Sequence, residues 1–437
     1  SHSHRRSSAG IIAAKMGVLR VLTPETIPVE CSEPVDPKAL ETATAVINSI
    51  RERGEAALLE QAIKFGELKE GDSYTASKEE LKFAFDSLSE AERGVITRVA
   101  GRIRVFAQAQ RDSVKDFEND IPGGKAGQLV TPVDTAGCYA PGGRYPLPSS
   151  VLMTAITAKV AGVKNVWVAN PKPDKFALAA AHVAGVDGFL KCGGAHAIAT
   201  LAQGVGLVPQ CDIIVGPGNQ WVTAAKSIVQ GKCAIDMLAG PSEVLVIADD
   251  SADAATIAAD MLAQAEHDVE ARPILICTHA PLIKAVDAEV KKQLDLLPQP
   301  NCDTARAACK KGFVVLVDSM EEAIKVCDCI APEHLEIMTK DAMEVGMKCN
   351  HYGGLFIGRY AAEVLGDYGC GPNHVLPTAG TAKYTGGLSV HTFLRIRTWM
   401  RVDSQELNQQ VVEDSIAMAR IEGLEGHARA AEMRKLP

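Results

Sequence analysis

Val166-Trp167-Val168-Ala169, Gly188-Phe189-Leu190-Lys191 and Asp212-Ile213-Ile214-Val215 decide the fold. These short β-type runs begin about 23 residues apart with Ala-rich helical stretches between them, the spacing of βαβ units in a parallel sheet. Each run ends in a turn: Asn170-Pro171, Cys192-Gly193-Gly194 and Gly216-Pro217-Gly218-Asn219. Downstream a second series follows, with strands expected at 243–247, 272–277 and 312–317 and helices at 253–265, 281–296 and 320–329. Gly240-Pro241-Ser242 marks the boundary between two α/β lobes. Upstream, apolar residues recur at three- and four-residue spacing over 39–53, 77–85 and 89–115, so residues 37–118 read as helical. Past residue 380 the chain turns polar and helical and ends in a helical stretch over 405–434. The organisation expected is an arm over 1–30, a first lobe over 31–240, a second over 241–380 and a tail over 381–437. A helical tail outside two finished lobes docks on a neighbouring subunit, so a homo-oligomer is expected.

Composition removes several classes of function. A chain of 437 residues has room for roughly two to four domains, and its 47% hydrophobic content supports large cores. With 5% aromatic residues, a net charge of −9 and no long Lys/Arg cluster, it lacks both stacking platforms and a track for a phosphate backbone, so nucleic acid is not a partner. No apolar run reaches the roughly 18 residues of a membrane-spanning helix; residues 151–163 come nearest, and Lys159 interrupts them. The twelve cysteines form no CxxC pair, which reads as reduced thiols in a cytosol-like compartment. The first acid is Glu25, behind the basic, Ser-rich start Ser-His-Ser-His-Arg-Arg-Ser-Ser. That start reads either as a tag remnant ahead of Met16 or as the end of a plastid-type transit peptide. Its His2 and His4 are not read as ligands, and the expected compartment is the cytoplasm, or the plastid on the second reading.

Three polar clusters stand out in the second half. Gln264 and His267, in Gln264-Ala265-Glu266-His267, share one side of a helix end and are acceptable metal ligands, although the motif alone favours a plain polar helix terminus. Glu333 and His334, in Pro332-Glu333-His334-Leu335-Glu336, put a carboxylate beside an imidazole; a turn there brings base and acid into one cleft, the bland alternative being a solvated Glu and a satisfied His. Asp367 and His374 lie in glycine-dense stretches, Gly366-Asp367-Tyr368-Gly369 and Gly371-Pro372-Asn373-His374, which let backbone approach a ligand or simply make tight turns. The turns Tyr139-Ala140-Pro141-Gly142-Gly143 and Gly216-Pro217-Gly218-Asn219 could receive phosphate at a helix start. Neither is GxGxxG, a pattern absent from the chain, so the motifs alone leave a dinucleotide open.

Taken together, the segments at 139–143, 148–153, 216–219, 239–243, 264–268, 332–336, 366–377 and 422–430 resemble the histidinol dehydrogenase family, from about residue 20 to the C-terminus. The resemblance implies two α/β lobes with mainly parallel, incomplete Rossmann-like sheets, an N-terminal arm, and a C-terminal helical tail exchanged in a homodimer. It implies oxidation of the small molecule L-histidinol to L-histidinaldehyde and then L-histidine, the last steps of histidine biosynthesis, with NAD and one Zn2+ per subunit. Gln264, His267 and Asp367 match the zinc ligands, and His427 matches a fourth supplied by the partner chain. Glu333 matches the base that activates water, and His334 the group that takes the alcohol proton. Ser242, His374 and Glu422 match substrate contacts, beside the zinc ligands and His334 themselves. Tyr139 and Asn219 match NAD contacts.

Two positions depart from the family pattern. His196 stands where the family usually has a Gln that contacts NAD, and Arg144-Tyr145 stands where many relatives carry a small residue. A sister branch of zinc- and NAD-dependent dehydrogenases, which oxidises a sulfonated propanediol, has both features. The motifs at 332–336 and 371–374 read instead as the histidinol type, so another small polar alcohol is kept as the alternative substrate.

Overall fold

The computed structural model describes residues 15–28, 35–142 and 146–437. The expectations for the first fourteen residues, including His2 and His4, and for Arg144 and Tyr145 lie outside the described residues. Two parallel sheets organise the chain. In the first, Thr135–Tyr139 is central, with Asn165–Ala169 and Gly188–Leu190 on one side and Ile213–Val215 and Ala234–Ile235 on the other, all parallel; Thr75–Ala76 adds an antiparallel edge. In the second, Glu243–Ala248 is central, flanked by Arg272–Cys277 and Phe313–Leu316 on one side and His334–Met338 and Gly354–Ile357 on the other. Each sheet therefore reverses strand order beside its central strand, the point at which doubly wound folds bind ligands. Helices cover both faces of both sheets, which is why strands such as Glu243–Ala248 are buried along their whole length.

The predicted helices and strands are present with ends shifted by one to four residues: Pro37–Arg53, Glu90–Asp112, Ala254–Ala265 and Met320–Ile330 among the helices. Three features differ from the sequence reading. Leu19–Leu22, assigned to the arm, pairs parallel with Phe313–Leu316 and extends the second sheet. Phe117–Ile121 and Gly124–Pro132 form a hairpin where the reading expects the end of a helical region. Leu394–Val402, read as helical tail, is a nine-residue strand on that hairpin. Its Leu-Arg-Ile-Arg-Thr-Trp-Met-Arg-Val sequence alternates with period two, and its polarity reflects a sheet open to solvent rather than a helix. Behind it the tail folds into Gln409–Ile421 and Glu425–Glu432, broken at Gly423, whose φ of +75° no helix accommodates. Among the described residues no helix is long and apolar enough to cross a membrane, and all eleven described cysteines are free.

Candidate active site

The two sheets meet at opposite ends. Tyr139 closes the central strand of the first sheet and Gly216 follows its neighbour, so this lobe presents carboxyl ends. Glu243 and His334 each open a strand of the second sheet, so that lobe presents amino ends. The helix Ala254–Ala265 runs back antiparallel to its strand and delivers Gln264 and His267 to the same edge. Between the lobes lies a cavity of about 230 Å³. The first lobe lines it with Pro141, Ser149 and Gly216-Pro217-Gly218. The second lines it with Ser242, Gln264, His267, Glu333, His334, Asp367 and His374. Seven of the residues singled out from sequence thus share one cavity.

Glu333 and His334 are neighbours in sequence, yet both reach the cavity because both fasten to Glu243 on the adjoining strand. The Glu243 N–H donates to Glu333 Oε2 at 2.9 Å, and His334 Nδ1 lies 3.0 Å from the Glu243 carbonyl oxygen. An Nδ1 proton given to that carbonyl leaves Nε2 as the working nitrogen, and Nε2 is buried without a partner. Burial pushes the Glu333 carboxyl up to about 8, only partly offset by the His334 imidazole and the Glu243 N–H. Burial alone would depress His334, but Glu363, Glu333 and Asp367 outweigh it and raise the ring well above the usual histidine range. A carboxyl raised to near-neutral pH beside an imidazole held in its charged form by carboxylates suits general acid–base work.

Beside them is a cluster shaped for a cation. Ligand atoms of His267, Glu363 and Asp367 lie within 4.8 Å of one another. The Gln264 side-chain amide lies 3.1 and 3.2 Å from the two Glu363 oxygens, to which its NH2 can donate. Gln264 and His267 stand at and just past the C-terminus of Ala254–Ala265, whose partial negative charge also favours a cation. Asp367 sits on a π-helical turn, Gly366–Cys370, and is held low against burial by the His334 imidazole, whose Nε2 lies 3.8 Å from Oδ1, and by His374 and His267 nearby. His374 contributes a second buried, unpartnered Nε2, and burial lowers its ring. The N/O donor set fits zinc.

Sequence reasoning missed Glu363, Glu243 and the pair Asp260–Glu336. Glu363 follows no recognisable motif; it arrives because its N–H donates to Glu336 Oε1 at 2.8 Å. Glu336 was legible only as the end of the 332–336 motif, and Asp260 only as the residue one turn before Gln264.

The three cofactor candidates occupy the carboxyl edge of the first sheet, each with a structural partner. Tyr139 is buried and its hydroxyl accepts the Gly194 N–H at 3.1 Å. Asn219 caps the helix Gln220–Val229, accepting from Trp221 and Val222. His196 is 3% exposed, stacks on Phe65 and bonds Glu67 through Nε2 at 2.7 Å. The other Glu67 oxygen accepts the Gly193 N–H at 3.2 Å, so His196 braces the glycine turn from behind rather than lining the cavity. The cradle itself is backbone: a Cβ on Gly142 would meet the Pro171 carbonyl oxygen at 2.4 Å, and one on Gly218 would meet Val222 at 2.4 Å. Within the single chain Glu422 and His427 stay exposed on the tail and do not line the cavity.

A family model described as histidinol dehydrogenase matches residues 31–435. The chain belongs to the histidinol dehydrogenase family. The histidinol dehydrogenase of Aromatoleum aromaticum is 44% identical over 395 residues, 89% of this chain and 90% of that one. That of Geobacillus kaustophilus is 44% identical over 397 residues, 89% of this chain and 92% of that one. The crystal structure of histidinol dehydrogenase from Elizabethkingia anophelis aligns with a TM-score of 0.88 at 31% identity, covering 96% of this chain and 98% of that one. The chain is accordingly an oxidoreductase whose family accords with the last steps of histidine biosynthesis.

Proposed function

We propose that the chain oxidises L-histidinol to L-histidine through L-histidinaldehyde, a four-electron reaction using two NAD+ and one zinc ion per subunit. The observation that carries the reading is the cavity in which a cation-shaped donor cluster, a Glu–His pair and backbone phosphate cradles converge. Gln264, His267 and Asp367 would hold the metal, with His427 of a second subunit, and the turns at Gly142 and Gly216–Asn219 would hold the dinucleotide. Bound zinc supplies an anchor for the substrate nitrogens, and NAD+ supplies the hydride acceptor. The remaining chemistry is proton handling by this chain. His334 Nε2 takes the alcohol proton; Glu333, anchored by the Glu243 N–H, accepts a proton from the water that adds to the aldehyde. Ser242 and His374 line the same space and orient the substrate.

The same geometry supports a homodimer with exchanged tails. Glu422 and His427 lie off the cavity in one chain, while an apolar groove of about 540 Å³ opens beside it, lined by Phe106, Leu355, Phe356, Tyr360 and Leu365 and ending at Asp367 and His374. The tail offers apolar side chains to fill such a groove: Met418 is 56% exposed, Ile421 79% and Met433 82%. The free cysteines accord with a reducing, cytoplasmic compartment. His196, one of the two features shared with the sister branch, is engaged by Glu67.

The test is NADH formed per L-histidinol by the zinc-loaded protein in excess NAD+, beside a chelated control. Two NADH per substrate, lost on chelation, is the expected result. No NADH from a folded, zinc-loaded dimer would sink the reading and turn attention to sulfonated and amino alcohols.

A further inference from the structure

Gly216 opens the turn at the switch point of the first sheet, and its backbone is unusual. Its φ is +115°, and a Cβ there would lie 2.0 Å from the Tyr139 carbonyl oxygen, so the turn presses against the end of the central strand. Strand pairing has ended at Val215, which leaves the Gly216 N–H and C=O buried and in need of partners. They find them in one ion pair. Asp236 Oδ2 accepts the Gly216 N–H at 2.7 Å, and Lys226 Nζ donates to the Gly216 carbonyl at 3.0 Å. Lys226 and Asp236 bond each other, with side chains only 3% and 1% exposed.

The pair has a second attachment. Asp236 Oδ1 also accepts the Met237 N–H at 2.7 Å, which fixes the start of the segment joining the lobes. One turn before Lys226 on the same helix, Thr223 Oγ1 donates to the Ala239 carbonyl at 3.0 Å. The joining segment runs on through Gly240, whose N–H is held by Thr378 Oγ1, to Ser242 in the cavity wall. A buried ion pair gives little net stability for its desolvation cost, so its retention here calls for a positional reason.

We infer that Lys226 and Asp236 are positioning residues for the cofactor: their pair clamps the Gly216–Asn219 turn and ties it to the joining segment, which sets the turn's distance from the substrate cavity. The inference rests on the reading of that turn as an NAD+ cradle.

The test uses the full-length, zinc-loaded protein carrying Lys226→Met, which keeps the stem and removes both bonds. Three things are measured beside wild type: amide hydrogen exchange of the 216–222 segment, the dissociation constant for NAD+, and zinc content. Faster exchange in that segment, with NAD+ affinity down about ten-fold or more and zinc unchanged, is expected from losing charge-assisted bonds. A general loss of stability would speed exchange across both lobes instead. Unchanged exchange at 216–222, or unchanged NAD+ affinity, in folded Lys226→Met would overturn the inference. Should Lys226→Met fail to fold, Asp236→Asn, which removes the charge and one of the two accepting oxygens, is judged by the same criteria. If the wild-type protein itself binds no NAD+, the cofactor reading fails, and the clamp stands or falls on the exchange data.

Discussion

Replacing Glu333 by Gln separates the two oxidations. The amide has the same volume, and its oxygen can still accept the Glu243 N–H that Glu333 Oε2 accepts at 2.9 Å, so the cavity keeps its shape. What disappears is a group that can take a proton. Water adding to the aldehyde needs that group; the alcohol step, whose proton goes to His334, does not. General-base catalysis contributes about 10²- to 10⁴-fold, so aldehyde oxidation should fall by that factor, roughly 3–5 kcal/mol in the barrier. Alcohol oxidation should fall by less than about ten-fold. Unfolding cannot mimic this. In the metal-free protein the Glu333 carboxyl is raised to about 8, so the fold favours its protonated form; that contribution is full below the unfolded carboxyl range and is lost as pH rises through 8. A neutral Gln avoids the loss, and the variant should be at least as stable as wild type at pH 8. The assay is rapid-mixing NADH formation with L-histidinol and, separately, with L-histidinaldehyde. Equal losses in the two would refute the assignment of Glu333 as water-activating base.

His267→Asn should lower bound zinc and NADH formation together, measured by metal analysis on the dialysed protein; full zinc occupancy would remove His267 from the ligand set. Mixing His427→Asn with His267→Asn subunits should restore part of the activity that each lacks alone, since one of the two sites in a heterodimer then carries both intact residues. No recovery in isolated heterodimers would argue against a shared site. Burial raises Asp260 to about 6 and Glu336 to about 8, and the two carboxyls titrate together. Both shifts are upward, so the stability they give is present at low pH and lost as pH climbs through this range. Glu336→Gln can still accept the Glu363 N–H and should show a smaller fall in melting temperature between pH 6 and 9, by roughly 2–4 °C. A fall equal to that of wild type in calorimetry would show that the pair does not share its proton in this way.

The local elements were written in the chain. Apolar periodicity placed the helices and most strands, because burial on one or both faces constrains each segment by itself. The glycine turns were visible for the same reason: Gly216 and Gly142 occupy backbone positions that no side chain fits. Family-type motifs identified seven of the cavity residues before any geometry was known. Where a segment's environment is set by a distant partner, sequence pattern misled. Leu394–Val402 looked like polar helix because it pairs with a strand some 270 residues earlier in a sheet exposed on both faces. The bond from His196 to Glu67, 129 residues away, had no signal in the sequence either. Glu363 carried no signal until Glu336 drew its N–H under the site. The sequence by itself determined a pair of doubly wound lobes and the chemical types gathered for reaction. Only the tertiary structure decided that one lobe offers its carboxyl ends and the other its amino ends. That choice rests on packing between segments hundreds of residues apart, whose free energy no local pattern records.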